Sequence, residues 1–307
     1  MTLFEKWEKN IIKRKFGHIG TLDPLASGVL PVLMGNATKL SDYLMEHDKE
    51  YVAKIKLGEK TDTGDREGAI IEKQDVPKTI NQKDIENCLK TFLGESFQIP
   101  PMYSAIKVNG KKLYELARSG QKIEREPRKI TITDIELLNF DKANNTIEYR
   151  VVCSKGTYIR VLCEDISKKL NTCGYMTSLR RTRVGDYTLE DSGKFIPLEK
   201  IIPNSLKITL KSQTQLVKFL NGVKLKTFEL DILETKKPLK AENSEKFPSQ
   251  IKLENNKSDR FLDETKDDGN LSIKKFRNQL CNIYFNNKFI GIGKIENCLV
   301  KRFIINS

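Results

Sequence analysis

Alternation of apolar and polar side chains in KEYVAKIKLG (49–58) predicts a strand with one face in a core, and the polar TDTGDREG (61–68) beyond it reads as a turn. Apolar residues at helical spacing predict helices from about Asp84 to Leu93 and over about 159–170, while strands are expected at 129–139, 146–154 and 175–184. Between them, QIPPMYSAIKVNGKKLYELARSGQKIEREPRKI (98–130) cannot begin regularly, because Pro100 and Pro101 lack amide donors; Tyr114, Leu116 and Ala117 predict a short helix that closes at Gly120. Strands joined by turns as well as by helices predict an α+β fold around a mixed, mostly antiparallel sheet.

The pattern changes near Pro203. SQTQLVKFLNG (212–222) is amphipathic, the stretch over about 232–274 is too polar to bury much surface and is expected to be a flexible insertion, and QLCNIYFNNKFIGIGKIENCLVKRFII (279–305) reads as two or three strands with a turn at Asn286 and Asn287. Two domains are therefore expected, at 1–202 and 203–307, the second a small β-rich module. Nearer the start, GHIGTLDPLASGVLPVLMG (17–35) carries Asp23 before Pro24 and an apolar run, which on local grounds is a helix N-terminus with Asp23 as N-cap.

Composition narrows the partner. The 307 residues carry a formal charge of +13, with basic clusters at Lys13, Arg14 and Lys15, from Lys107 to Lys129, and at Arg180, Arg181 and Arg183; either a polyanion such as nucleic acid or a solvated basic face accounts for them. No apolar run reaches 18 residues and the N-terminus lacks a signal-peptide pattern, so no membrane association and a cytoplasmic compartment are expected, or an organelle matrix after import. Six cysteines without a Cys-x-x-Cys pair, and only His18 and His47, predict reduced thiols and no metal site; TDTGDREG has the wrong acidic spacing for a calcium loop. In isolation Tyr51 reads as a half-buried strand aromatic, Arg160 as a surface helix charge, and Leu179 as a core leucine.

Taken in order, GHIGTLDPLASGVLP, ATKLSDYL, DKEYVAKIKLGEKTDTGD, QIPPMYSAIKVNGKKLYELARSG, SKGTYIRVLCEDI and LRRTRVGDY resemble the motifs of the bacterial tRNA pseudouridine synthase B (TruB) family, over about residues 8–200. The resemblance implies a pseudouridine synthase fold with a central RNA-binding cleft and isomerisation of uridine 55 in the T-loop of tRNA. It assigns the catalytic carboxylate to Asp23 and substrate contacts to Tyr51, Arg160 and Leu179. His18 matches the histidine that fills the space left by the flipped base. Breaking N1–C1′ and forming C5–C1′ changes no oxidation state, so no cofactor is implied; a carboxylate beside the sugar acts either as nucleophile at C1′ or as base on a glycal route.

The family segment matching 98–125 closes over the T-loop, which makes Lys107, Lys111, Lys112 and Arg118 candidate contacts to the RNA backbone. The region from about 203 looks like a PUA-like RNA-binding appendage. A Lys-Pro-x-Gly-x-Thr-Ser motif and its strand, usual some 20 residues before the His-Gly element, have no counterpart here, so a missing N-terminal strand is expected. The implied partner is the tRNA T-arm and the default assembly a monomer. Two alternatives stand: a tRNA-binding or tRNA-folding protein without turnover, inactivated by that truncation, and a synthase acting on RNAs other than tRNA.

Overall fold

A computed structural model of the chain describes residues 15–45, 47–104, 106–108, 110–121, 123–202, 205–233, 279–297 and 299–306. These form two compact units that divide between Lys194 and Phe195, upstream of the composition shift near Pro203. Buried Asn282 donates to the Glu199 carbonyl (2.8 Å) and Tyr284 Oη to the Glu199 carboxylate (2.7 Å), which ties the turn at Leu198–Lys200 to the second unit.

The first unit is built on a seven-stranded sheet. Its order is Tyr187–Thr188, Gly174–Val184, Lys49–Leu57, Thr146–Cys153, Arg128–Asp141 and Gly94–Gln98, all antiparallel, with Ser27–Gly28 added parallel to Gly174–Val184. Along Lys49–Leu57 the buried positions are 49, 51, 53, 55 and 57, as the alternation in KEYVAKIKL requires. That face packs against the helices Gln82–Lys90 and Ile159–Lys169 through Ile55, Leu57, Ile85, Leu89, Ile147 and Leu162. Gln82–Lys90 starts with a reciprocal cap: Asp84 N donates to Asn81 Oδ1 (3.2 Å) and Asn81 N to Asp84 Oδ2 (3.1 Å). The short helix Leu113–Arg118 follows a two-residue hairpin of Lys107–Val108 and Lys111–Lys112, and Gly120 beyond it takes a φ of 74°.

One local expectation fails. No helix follows Asp23: the amide of Ala26 bonds the Asp23 carbonyl (2.9 Å) in a turn, and the chain then extends into Ser27–Gly28. Pro24 and Pro31 bracket a run too short to repay helix nucleation, and the same backbone gains sheet bonds along Arg180 and Arg181.

The second unit is a six-stranded sheet in the order Leu225–Lys226, Leu299–Ile305, Lys288–Glu296, Leu280–Phe285, Leu206–Thr209 and Asp231–Leu233. Leu206–Thr209 runs parallel to Leu280–Phe285 and every other pairing is antiparallel. Phe219 of the helix Gln213–Leu220 is fully buried against Ile208, Ile283 and Val300. Asn286 (φ 48°) and Asn287 (φ 60°) form the tight turn between two strands, a left-handed pair that asparagine tolerates better than most residues. The polar stretch expected over about 232–274 lies, from residue 234 on, outside the described residues. Taken together, the α+β class and the β-rich C-terminal module match the reading of the sequence.

Candidate active site

Three segments converge on one guanidinium. Arg160, the second residue of Ile159–Lys169, is buried rather than displayed as a surface charge: its side chain is 7% exposed. Its helix is seated by Gln98, whose carboxamide pairs with the Tyr158 backbone (Tyr158 N to Oε1 2.7 Å, Nε2 to Tyr158 O 3.1 Å), so the end of the Gly94–Gln98 strand fixes where the helix begins.

Arg160 spends its donors in a plane. Nε and Nη2 form a fork on Asp23 (2.8 Å to Oδ2, 3.3 Å to Oδ1), Nη2 also donates to the Tyr103 carbonyl (2.7 Å), and Nη1 to the Thr63 carbonyl (3.1 Å), with Asp65 Oδ2 at 3.8 Å. A bidentate pair restricts the carboxylate in angle as well as distance. Asp23 keeps 32% of its side chain exposed, so the fork holds a carboxylate that is still accessible.

The TDTGDREG segment builds part of this frame. Met176 N bonds the Gly64 carbonyl (3.0 Å) and Arg66 N the Met176 carbonyl (3.0 Å), which fastens the loop to the Gly174–Val184 strand. Asp65 Oδ2 faces Arg160, while within the loop Asp65 Oδ1 accepts from Thr63 Oγ1 (2.7 Å) and Glu67 N (3.1 Å), and Asp62 Oδ1 from Ala69 N (2.9 Å). Among the described residues no cluster of three or more His, Cys, Asp or Glu has metal-ligating geometry.

Tyr51 and Leu179 are nearly buried members of the main core cluster, against which Leu25 and Ala26 of the Asp23 loop also pack. Desolvation pushes the Tyr51 hydroxyl above the ordinary phenol range, with Asp23 adding to the rise and Arg181 opposing it. At neutral pH Tyr51 is therefore a neutral phenol. His18 is exposed at the end of Phe16–His18, paired opposite Val32; this strand and Val32–Met34 flank the Asp23 loop. Lys107, Lys111 and Lys112 lie in the small hairpin and Arg118 in the helix after it; Lys111 is exposed, and the segment reaches the site through the Tyr103 carbonyl.

The basic run Arg180, Arg181, Arg183 does not act as one charged patch. Strand alternation turns Arg180 outward and Arg181 inward, where it is 1% exposed, and Arg183 pairs with Asp48 (2.9 Å). Beside Arg181 lies a second buried cation, Lys49, which donates to the His47 carbonyl (2.7 Å); desolvation, with Arg181 nearby, pushes its ammonium below the usual lysine range. Neither residue stands out as a site residue in the sequence, although Lys49 occupies an inward position of the alternation and Arg181 is two residues from Leu179. Asp65, Thr63 and Gln98 were equally hidden, because two of them act through backbone groups.

Comparison with known proteins identifies the family. Residues 9–159 match the family description "TruB family pseudouridylate synthase (N terminal domain)", and residues 160–223 match "tRNA pseudouridylate synthase B C-terminal domain". A protein named tRNA pseudouridine synthase B from Clostridium tetani is 43% identical over 248 residues, covering 76% of this chain and 84% of its own; one of the same name from Clostridium perfringens is 46% identical over 225 residues, covering 69% and 75%. Among solved structures, the Cbf5-Nop10-Gar1 complex contains a chain that superposes with a TM-score of 0.57 at 23% identity, covering 95% of this chain and 73% of that one, a likeness of fold. The chain belongs to the TruB family of pseudouridylate synthases.

Proposed function

We propose that this protein is a tRNA pseudouridine synthase that isomerises uridine 55 in the T-loop, with Asp23 as the catalytic carboxylate. The observation that carries the reading is the fork from buried Arg160 onto partly exposed Asp23, which aims an anion from a rigid frame. The relatives' names extend the family's chemistry to tRNA.

In this reading the target uridine leaves its stack so that Asp23 can reach the sugar, at a cost of a few kcal/mol in lost stacking. Asp23 either attacks C1′ as N1–C1′ breaks or takes a proton from the sugar on a glycal route. The uracil turns, C5 joins C1′, the proton on C5 departs and N1 gains one, so atoms balance without a co-reactant. Tyr51 packs its ring on the base with its neutral hydroxyl close to C5, and Leu179 packs against the uracil. His18 fills the vacated stack. Lys107, Lys111, Lys112 and Arg118 contact phosphates, which position RNA without specifying a base. The domain spanning 1–202 carries the chemistry, and the module from 203 to 307 adds RNA-binding surface.

The test is tritium release from unmodified tRNA bearing [5-³H]uridine, comparing the chain with its Asp23→Asn variant. Release by the first and none by the second is expected. Tight tRNA binding without release by either protein would instead identify an RNA-binding protein, and release only from RNAs other than tRNA would change the substrate.

A further inference from the structure

Arg181 has no role in the chemistry set out above, yet it is among the largest fully buried side chains of the described chain. Among the described residues its guanidinium is in no ion pair. Burying an arginine without a carboxylate is costly, and a methionine or leucine would fill the same face of the sheet without that cost. What a hydrocarbon cannot do is donate.

The donors go to the loop that carries Asp23. Nε bonds the Val29 carbonyl (2.7 Å) and Nη2 the Gly20 carbonyl (3.1 Å), so one planar group closes both ends of the 20–29 loop. The backbone repeats the clamp: Val29 N donates to the Arg181 carbonyl (2.8 Å), and Ser27 and Gly28 pair with Arg180 and Arg181. Gly28 has a φ of 107°, and a Cβ there would overlap the Arg181 carbonyl oxygen, so only glycine permits the approach.

Arg181 also lies directly opposite Tyr51 in the antiparallel register, on the same inward face. The charge of its guanidinium opposes the rise that burial imposes on the Tyr51 phenol.

We propose that Arg181 is a positioning residue of the active site, a buried guanidinium that holds both ends of the Asp23 loop from the strand position directly opposite Tyr51. The inference rests on the proposed synthase reading. Because misplacement of a catalytic group by about 1 Å can cost on the order of 100-fold in rate, losing this frame slows the chemical step while the RNA-binding surface stays intact.

The experiment compares the full chain with Arg181→Lys and Arg181→Met, each checked for folding by thermal melting. Single-turnover tritium release and tRNA affinity are measured on the same preparations. A lysine ammonium is a compact donor that cannot span both carbonyls, so release is expected to slow by roughly 10- to 100-fold with affinity held within about twofold, and the methionine variant to be slower still. A second readout is independent of turnover: 3-fluorotyrosine at position 51, titrated by ¹⁹F resonance, is expected to ionise at higher pH in Arg181→Met.

Folded variants with unchanged release overturn the proposal, as does a proportional loss of rate and affinity. If both variants fail to fold, an ester replacing the Val29–Leu30 amide weakens the Val29 acceptor while leaving Arg181 in place; slowed release supports the clamp and an unchanged rate refutes it. No release by the unsubstituted chain means that the synthase reading fails, and the fluorotyrosine titration then decides the link between Arg181 and Tyr51 by itself.

Discussion

Arg160 shows how a residue's surroundings reverse its plain reading. A charged residue in the first turn of a helix is ordinarily solvated, but here carbonyls from two other segments and the Asp23 carboxylate receive four of its five N–H groups, so the charge is buried with most of its donors used. Such a site is sensitive to shape more than to charge. Arg160→Lys keeps the positive charge and loses the fork; with each charge-assisted bond worth about 1.5–3 kcal/mol, tritium release is expected to fall by roughly 10- to 150-fold, read in single-turnover assays with tRNA in excess of its dissociation constant. The motif around Asp23 and Arg160 marked both residues in the sequence. Lys49, Gln98 and Arg181 escaped because their burial follows from strand register and from loops that arrive from distant parts of the chain.

At the scale of elements, local pattern and tertiary demand agree over most of the first unit. The alternation at 49–57 and the apolar spacing at 159–169 appear as a strand and a helix with nearly those bounds. The helix at Gln82–Lys90 is locally encoded by its cap, and Asn81→Ala is expected to cost about 1 kcal/mol in urea denaturation while leaving tritium release unchanged, since the cap lies outside the site. The segment after Asp23 behaves differently. Its helix-like signal yields to sheet pairing that only Gly28 makes sterically possible, and Gly28→Ala is expected to destabilise the protein by about 2–4 kcal/mol and to reduce release beyond what the loss of folded protein explains. Denaturation midpoints and specific activity on the same samples separate the two effects.

For the whole molecule, two cores support two compact units; among the described residues the first core holds Cys88, Cys153 and Cys163 and the second Cys281, all shielded from water. Five cysteines are free and buried among the described residues; burial pushes the Cys153 thiol up to about 11 and the Cys281 thiol up to about 12. Unfolded thiols ionise near pH 8.5–9, so above that pH the unfolded chain releases protons that the native chain retains. Their contribution to stability is intact below about pH 8.5 and is lost as pH rises toward 11–12, at about 1.4 kcal/mol per pH unit for each thiol between its two pKa values. Urea midpoints measured at pH 7, 9 and 10.5 are expected to fall in that order, and alkylating reagents to label these cysteines only on unfolding. Periodicity and turn chemistry were enough to read the α+β class, the tight Asn286 and Asn287 turn and the main elements, because those signals are written into neighbouring residues. The family motifs likewise singled out Asp23, Tyr51, Arg160 and Leu179 from their order along the chain. Only the tertiary structure decided that Asp23 lies on an extended loop rather than a helix, that Arg181 turns inward while Arg180 faces water, and that the carbonyls of Thr63 and Tyr103 meet on Arg160. These outcomes depend on contacts between segments far apart in sequence, where pairing geometry and the burial of polar groups outweigh local preference.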